Sequence, residues 1–111
     1  MAYDKGLAQR VEEYLELYDD VYPKNMFGGI AWMVNGNIAC GIFEESLISR
    51  VGPLEYKTAL RQDGIHEFDI TGRPMKGWIM ADADAVSEDS ELKGWIDKGL
   101  KFGRSLPAKS L

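Results

Sequence analysis

The residues best able to do chemistry in this 111-residue chain are its one cysteine and its one histidine, Cys40 and His66. A thiol and an imidazole could act as a nucleophile and its general base, but nothing in their spacing places the two together. A structural zinc site needs three or four such ligands, and this pair supplies at most two. Cys40 also lies in an apolar stretch, where a thiol stays protonated and inert. We therefore expect no catalytic residues, no metal site and no cofactor.

The acidic cluster near residue 82 does not fit a calcium-binding loop, and the paired glycines do not fit a phosphate-binding loop. An EF-hand loop that began at Asp82 would need an oxygen ligand at Val86 and a glycine at Ser87. Gly28-Gly29 is not followed by the helix start and the lysine that a phosphate-binding loop requires. We expect the acids to lie in a solvated loop and at a helix start, and the glycines to mark a bulge or a close backbone approach.

Residues 71–78 form the stretch that is hardest to dismiss as a ligand site. They gather two cations, a thioether and an indole around proline and glycine. Such a loop could bind an anion or a protein partner, although the same composition suits a stiff, exposed hairpin loop. The candidate binding residues, which include one cation brought near through the sheet, are Arg50, Arg73, Met75, Lys76 and Trp78.

The charge balance and the cysteine count limit the partners and the compartment. Thirteen Lys and Arg against eighteen Asp and Glu leave a net charge of −5, which disfavours a general affinity for nucleic acid. A single cysteine cannot form an intrachain disulfide, and the amino terminus lacks the apolar run of a signal peptide. No stretch is apolar enough to span a bilayer. We predict a cytoplasmic protein without membrane contact, with one domain over residues 1–111.

The hydrophobic pattern predicts three helices and five strands. Asp4 can cap a helix over residues 4–19, and Asn35-Gly36 favours the two-residue turn of a β-hairpin. The remaining predicted elements are a strand over 47–51, a helix from Pro53 to the stop at Asp63-Gly64, strands at 66–70 and 77–81, and a last helix from Asp89 or Ser90. The predicted class is α+β, in the order α-β-β-β-α-β-β-α, with an antiparallel five-stranded sheet packed with helices.

The predicted hairpin is apolar on both faces. With Val34 opposite Asn37, one face would carry Ile30, Trp32, Val34, Ala39 and Phe43, and the other Phe27, Ala31, Met33, Ile38, Cys40 and Ile42. A hairpin with one solvated face would alternate apolar and polar residues, so something must cover each side. If the helices lie mainly on one side, a second subunit would cover the other. The candidate self-association residues are Phe27, Ile30, Trp32, Met33, Ile42 and Phe43.

Three separated blocks resemble the TfoX N-terminal domain family, which includes the bacterial competence regulators also called Sxy. They are MFGGIAWMVNGN at 26–37, RVGP at 50–53 and TGRPMKGW at 71–78, and residues 95–107 fit as well. The resemblance implies an α+β fold with helices against an antiparallel sheet, and it supplies no established catalytic residues. The longer regulators carry a second, carboxy-terminal domain, and the sequence ends at Leu111 without one, so we expect a stand-alone member.

The sequence thus predicts a nonenzymatic interaction or regulatory module that forms a homodimer or engages a regulatory protein. The alternative is a domain that binds a small anion or a nucleic-acid segment through the loop from Arg73 to Lys76. An enzyme that uses His66 or Cys40 is the least favoured hypothesis, because the partner groups are missing.

Overall fold

The structure, a computed structural model, describes residues 3–26, 28–69 and 72–109. Over these residues the chain forms three α-helices, a short 3-10 helix and six strands. In chain order they are α1 Lys5–Leu15, β1 Val21–Met26, β2 Gly29–Val34, β3 Asn37–Phe43, β4 Ser46–Arg50, α2 Pro53–Leu60, β5 Ile65–Glu67, β6 Trp78–Ala81, the 3-10 helix Ala83–Val86 and α3 Asp89–Ser105. The predicted α+β class is confirmed.

The six strands form one antiparallel sheet in the order β1-β2-β3-β4-β6-β5. The predicted number of five strands was one too low, because no strand was predicted between the first helix and the hairpin, where β1 lies. The predicted first helix was correspondingly too long, since α1 ends at Leu15. Pro23 and the polar residues after it hide the strand pattern of β1. Proline is accepted there because β1 is an edge strand.

The hairpin turn of β2 and β3 is formed as predicted. Asn35 and Gly36 both have positive φ values, 54° and 78°, and Val34 pairs with Asn37. Positive φ at both loop positions is the requirement of the turn type that Asn-Gly favours. The turn therefore fixes the start of the register.

Further along the hairpin, the predicted assignment of residues to faces was wrong. Trp32 pairs with Cys40 and Met33 pairs with Ile38, so Ala39 is an extra residue in β3. Such a bulge reverses the alternation of the bulged strand. Cys40 and Ile42 consequently join Trp32 in the core, and Phe43 moves to the opposite face.

The helices pack on one face of the sheet and enclose the core there. The buried core residues that the helices contribute are Leu7, Val11, Leu15, Tyr56, Ala59, Val86, Leu92, Trp95, Ile96 and Leu100, and those of the strands include Trp32, Val34, Ala39, Cys40, Ile42, Leu47, Ile65, Ile79 and Ala81. A buried hydroxyl also joins helix and sheet, because Ser49 Oγ donates to the Trp95 carbonyl at 2.8 Å. The large apolar area removed from water on this face is the main source of stability.

Polar contacts join α1 and the segment after it, which contains Tyr18 and Asp20, to α3 at the surface of this layer. The Tyr14 hydroxyl donates to Asp97 Oδ1 at 2.6 Å. Arg104 donates twice to the Asp20 carboxylate, at 3.0 Å each, and its guanidinium lies 5.0 Å from the Tyr18 ring centroid. These contacts fix the two helices relative to each other. The paired residues are far apart in the sequence, so these contacts form only when the tertiary structure is in place.

Candidate functional site

The sheet face opposite the helices carries a row of residues that crosses all six strands. In pairing order the row is Lys24, Ala31, Gly41, Ile48, Met80 and His66. Because side chains alternate along a strand, Met33 and Phe43 lie on the same surface. We call this surface the open face. In the part of the chain that the structure describes, no helix packs on it.

The loop between β5 and β6, residues 68–77, covers one part of the open face. Its described residues bring Phe68 against two other rings, with centroid distances of 6.5 Å to Phe43 and 6.2 Å to Trp78. The backbone holds the loop closed, since the Met75 amide donates to the Phe68 carbonyl at 3.1 Å. Residues 70 and 71 of this loop lie outside the described residues. Phe68 of the loop thus forms an aromatic wall together with Phe43 of β3 and Trp78 of β6.

A pocket of about 370 Å³ lies between this wall and the sheet. The described residues that line it are apolar residues and glycines: Met26, Gly29, Ile30, Ala31, Ile38, Gly41, Ile42, Phe43, Ile48, Phe68, Met75 and Trp78. No titratable side chain is among these residues. The pocket can therefore hold apolar groups, and it offers no acid or base to a reaction.

Two residues with small side chains at the centre of the row form the floor of the pocket and leave space above the sheet. Ala31 and Gly41 pair across β2 and β3, and a Cβ atom on Gly41 would lie 2.8 Å from the Ile30 carbonyl oxygen. That distance is shorter than real Cβ contacts, so the backbone approach requires glycine. The same packing that joins the two strands therefore leaves space above them.

The five candidate binding residues all lie in the region of this pocket, but only some of them line it. Met75 and Trp78 line it. Arg73 and Lys76 flank Met75 in the loop and are exposed. The Arg50 guanidinium lies 5.0 Å from the Trp78 ring centroid and 5.4 Å from that of Phe102, and burial lowers its pKa. None of the three cations forms an ion pair with a described residue.

The six candidate self-association residues divide between the two faces. Ile30, Trp32 and Ile42 pack in or against the helix-covered core, where the Trp32 indole donates to Glu12 Oε1 at 3.0 Å. Met33 and Phe43 belong to the open face, and Phe27 lies outside the described residues. The sequence interpretation missed Ile48 and Phe68 as members of the open surface. Their alternation with core residues, such as Leu47 and Ser49 around Ile48, was the available signal.

Cys40 and His66 do not meet. Cys40 is fully buried in the core, and burial raises the pKa of its thiol to about 12. His66 lies on edge strand β5, with Nε2 2.9 Å from Asp82 Oδ2 and half of its side chain exposed. Across residues 3–26, 28–69 and 72–109, no three His, Cys, Asp or Glu side chains cluster as metal ligands.

None of the helices in the described part of the chain is long and apolar enough to cross a membrane. The layer of helices on one side of an antiparallel sheet, with an apolar pocket on the other, is that of a small α+β domain. The family model of the TfoX N-terminal domain matches residues 13–103. The chain therefore belongs to the TfoX N-terminal domain family, as the three sequence blocks predicted.

The match spans β1 to β6 and all but the end of α3, so it includes every residue that lines the pocket. The family is not a known enzyme family, and its members fit a regulatory module. No curated protein and no solved structure matches the chain.

Proposed function

We propose that this chain is a nonenzymatic regulatory module that associates with a second copy of itself through the open face. The observation that carries the proposal is the apolar pocket on a sheet face without a helix. Most of the lining residues are buried or half-buried, and Met75 exposes apolar surface at the margin of the pocket. Exposed apolar surface beside an apolar pocket is typical of interaction sites. Membership in a family of regulatory proteins supports the same class of function.

The chemistry of the site supports a binding role rather than catalysis. The described pocket lining has no group that can donate or accept a proton in a reaction. The potential nucleophile Cys40 is inside the core on the other face of the sheet, with its pKa raised by burial. A thiol in that state is neither ionised nor accessible near neutral pH.

A second copy is the occupant that the surface itself suggests. In a twofold dimer the same patch occurs on both sides, so an apolar face can bury its equivalent on the partner. Met75 at the margin of the pocket is 37% exposed and would gain burial in such an interface. Burial of apolar area contributes about 25 cal/mol per Å² removed from water, before the cost of association.

Light scattering over a range of protein concentrations tests the association. We expect a concentration-dependent dimer for the wild type and a monomer for Met75→Glu, because the substitution places a charge in the proposed interface. Leu54→Glu is the matched control, since Leu54 is 95% exposed on α2, on the helix side. A wild type that stays monomeric at all concentrations contradicts the proposal, as does equal loss of dimer in both variants.

The exposed cations of the β5–β6 loop favour an alternative function, the binding of an anion. Arg73 and Lys76 are exposed and form no ion pair with a described residue. A single-stranded oligonucleotide or a nucleotide can be titrated while the tryptophan fluorescence, to which Trp78 beside the loop contributes, is followed. A salt-sensitive response that Arg73→Gln removes would support this alternative, and a flat response would contradict it.

A further inference from the structure

The pocket on the open face has the chemistry of a site for hydrocarbon. Its described lining offers methyl, methylene, thioether and ring surfaces, and the indole N–H of Trp78 is the one strong hydrogen-bonding side-chain group among these residues. A hydroxyl or amide placed elsewhere in the pocket would lose its hydrogen bonds to water without replacement, at a cost of roughly 1–3 kcal/mol. Sugars, nucleotides and peptides with polar side chains therefore do not fit the interior.

The size of the pocket limits the length of the ligand. Its volume of about 370 Å³ is at the small end of the range for ligand sites. One water-sized group takes up about 30 Å³ in a liquid, so the pocket has room for on the order of ten nonhydrogen atoms. A chain of medium length fits this space, and the tail of a membrane lipid would extend beyond it.

The charges next to the pocket indicate the polar end of the ligand. Arg73 and Lys76 flank the lining residue Met75 on the exposed loop, and Lys24 occupies the same cross-strand row as the floor residue Ala31. These cations contrast with the net charge of −5 of the whole chain. Acids also lie near the pocket, since Asp69 follows Phe68 in the same loop and Glu44 follows Phe43, so the cations are concentrated at the Met75 side of the rim. That side favours an anionic group.

We propose that the pocket binds an anionic amphiphile of medium chain length, such as a fatty carboxylate of about ten carbon atoms. The hydrocarbon chain occupies the apolar interior, and the carboxylate stays at the solvent-exposed rim beside Arg73 and Lys76. This ligand goes beyond the proposed self-association and does not require it. A second copy on the open face would close the pocket over the bound chain.

Decanoate below its micelle concentration and decanol below its solubility limit in water are the probes that separate the two parts of the inference. Chemical shifts of ¹³C-labelled methionine, leucine and valine methyl groups report binding, because Met26 and Met75 line the pocket. We expect saturable shifts of these two signals with either probe, with tighter binding of decanoate. Methyl signals of Val11 and Leu100, which are buried under the helices, should not move.

Two sets of variants locate the ligand. Ala31→Leu fills the floor of the pocket and should weaken binding of both probes by about tenfold or more. Arg73→Gln combined with Lys76→Gln should weaken decanoate by about tenfold and leave decanol unchanged. Lys101→Gln, an exposed cation on α3, is the control for net charge and should change neither affinity. The loop substitutions are in exposed positions, so they test the site even if Ala31→Leu fails to fold.

The absence of saturable methyl shifts with both probes would overturn the site, and shifts spread over the core methyls would do the same. Unchanged decanoate affinity in the double loop variant would overturn the position of the carboxylate. Light scattering on the same samples measures the oligomeric state, so the test of ligand binding is separate from the test of self-association. A monomer that binds decanoate contradicts only the dimer, and a dimer that does not bind it contradicts only the ligand.

Discussion

Gly99 of α3 lies directly against the carbonyl oxygen of Ala39, the extra residue of the β3 bulge, and leaves no space for a Cβ atom. One turn further on, a Cβ atom on Gly103 would be 2.8 Å from Cγ1 of Val34. The bulge and the two glycines therefore act together. They let the helix approach the sheet backbone, and this approach sets the depth of the core.

The contact between Gly99 and Ala39 predicts a large difference between two similar substitutions in α3. Gly99→Ala should lower the free energy of unfolding by about 1–3 kcal/mol, because the rigid backbone of β3 must move. Gly94→Ala is the control: it has nothing within 4 Å of the added methyl group and should raise stability by about 0.5–1 kcal/mol. Urea unfolding at neutral pH measures both values. Equal changes in stability for the two variants would show that the close approach of α3 to β3 does not require glycine at position 99.

The Tyr14 hydroxyl predicts a loss of stability at alkaline pH. Its burial and its hydrogen bond to Asp97 raise its pKa in the folded protein. In the unfolded chain the group ionises near its ordinary pKa of about 10, so above that pH the unfolded state has lost a proton that the folded state retains. Stability should therefore fall as the pH rises beyond about 10.

Urea unfolding of the wild type and of Tyr14→Phe between about pH 8 and 11 isolates this contribution, since other groups titrate alike in both. The wild type should lose its advantage over the variant as the pH rises. A difference that is constant with pH would contradict the assigned proton linkage.

The burial of Cys40 predicts a thiol that reacts only in the unfolded protein. With no exposed surface and a pKa of about 12, it is neither accessible nor ionised at pH 8. Labelling by a thiol reagent should therefore follow the unfolded fraction as urea is added. An exposed cysteine introduced as Lys101→Cys should react at once in the folded protein. Fast labelling of wild-type Cys40 in native conditions would refute its place in the core.

Self-association through the open face predicts an unusual dependence on salt. Each copy would bring its own Lys24, Arg73 and Lys76 to the interface, and these like charges repel. Raising NaCl from about 0.01 to 1 M shortens the screening length from about 30 to 3 Å, so dimerisation should strengthen. Sedimentation of the wild type and of the Arg73→Gln, Lys76→Gln variant measures this trend, which should be weaker in the variant. Dimerisation that weakens with salt would indicate contacts between opposite charges instead.

Much of the fold could be predicted because local patterns determine it. Asn35-Gly36 specifies its turn, Pro53 begins α2, and the apolar spacing from Leu92 to Leu100 defines the buried side of α3. The conclusion that the hairpin is apolar on both faces also did not depend on the register. These signals lie within a few residues of one another.

The errors arose where distant residues decide the structure. The bulge at Ala39 packs against α3, about sixty positions later in the chain, and no local sequence pattern predicts it. The pocket likewise depends on the pairing of Ala31 with Gly41 and on the loop that carries Phe68. Small residues in a strand are visible in the sequence, but the space above them is not.

The two margins of the sheet restrict how these molecules can assemble. Edge strand β1 contains Pro23, which has no amide hydrogen to offer an incoming strand, and the opposite edge strand, β5, has three residues. Growth of the sheet from molecule to molecule, the route to fibrils, is therefore hindered at both ends. A protein built in this way can carry an apolar pocket on one face of its sheet and still form only closed, finite complexes.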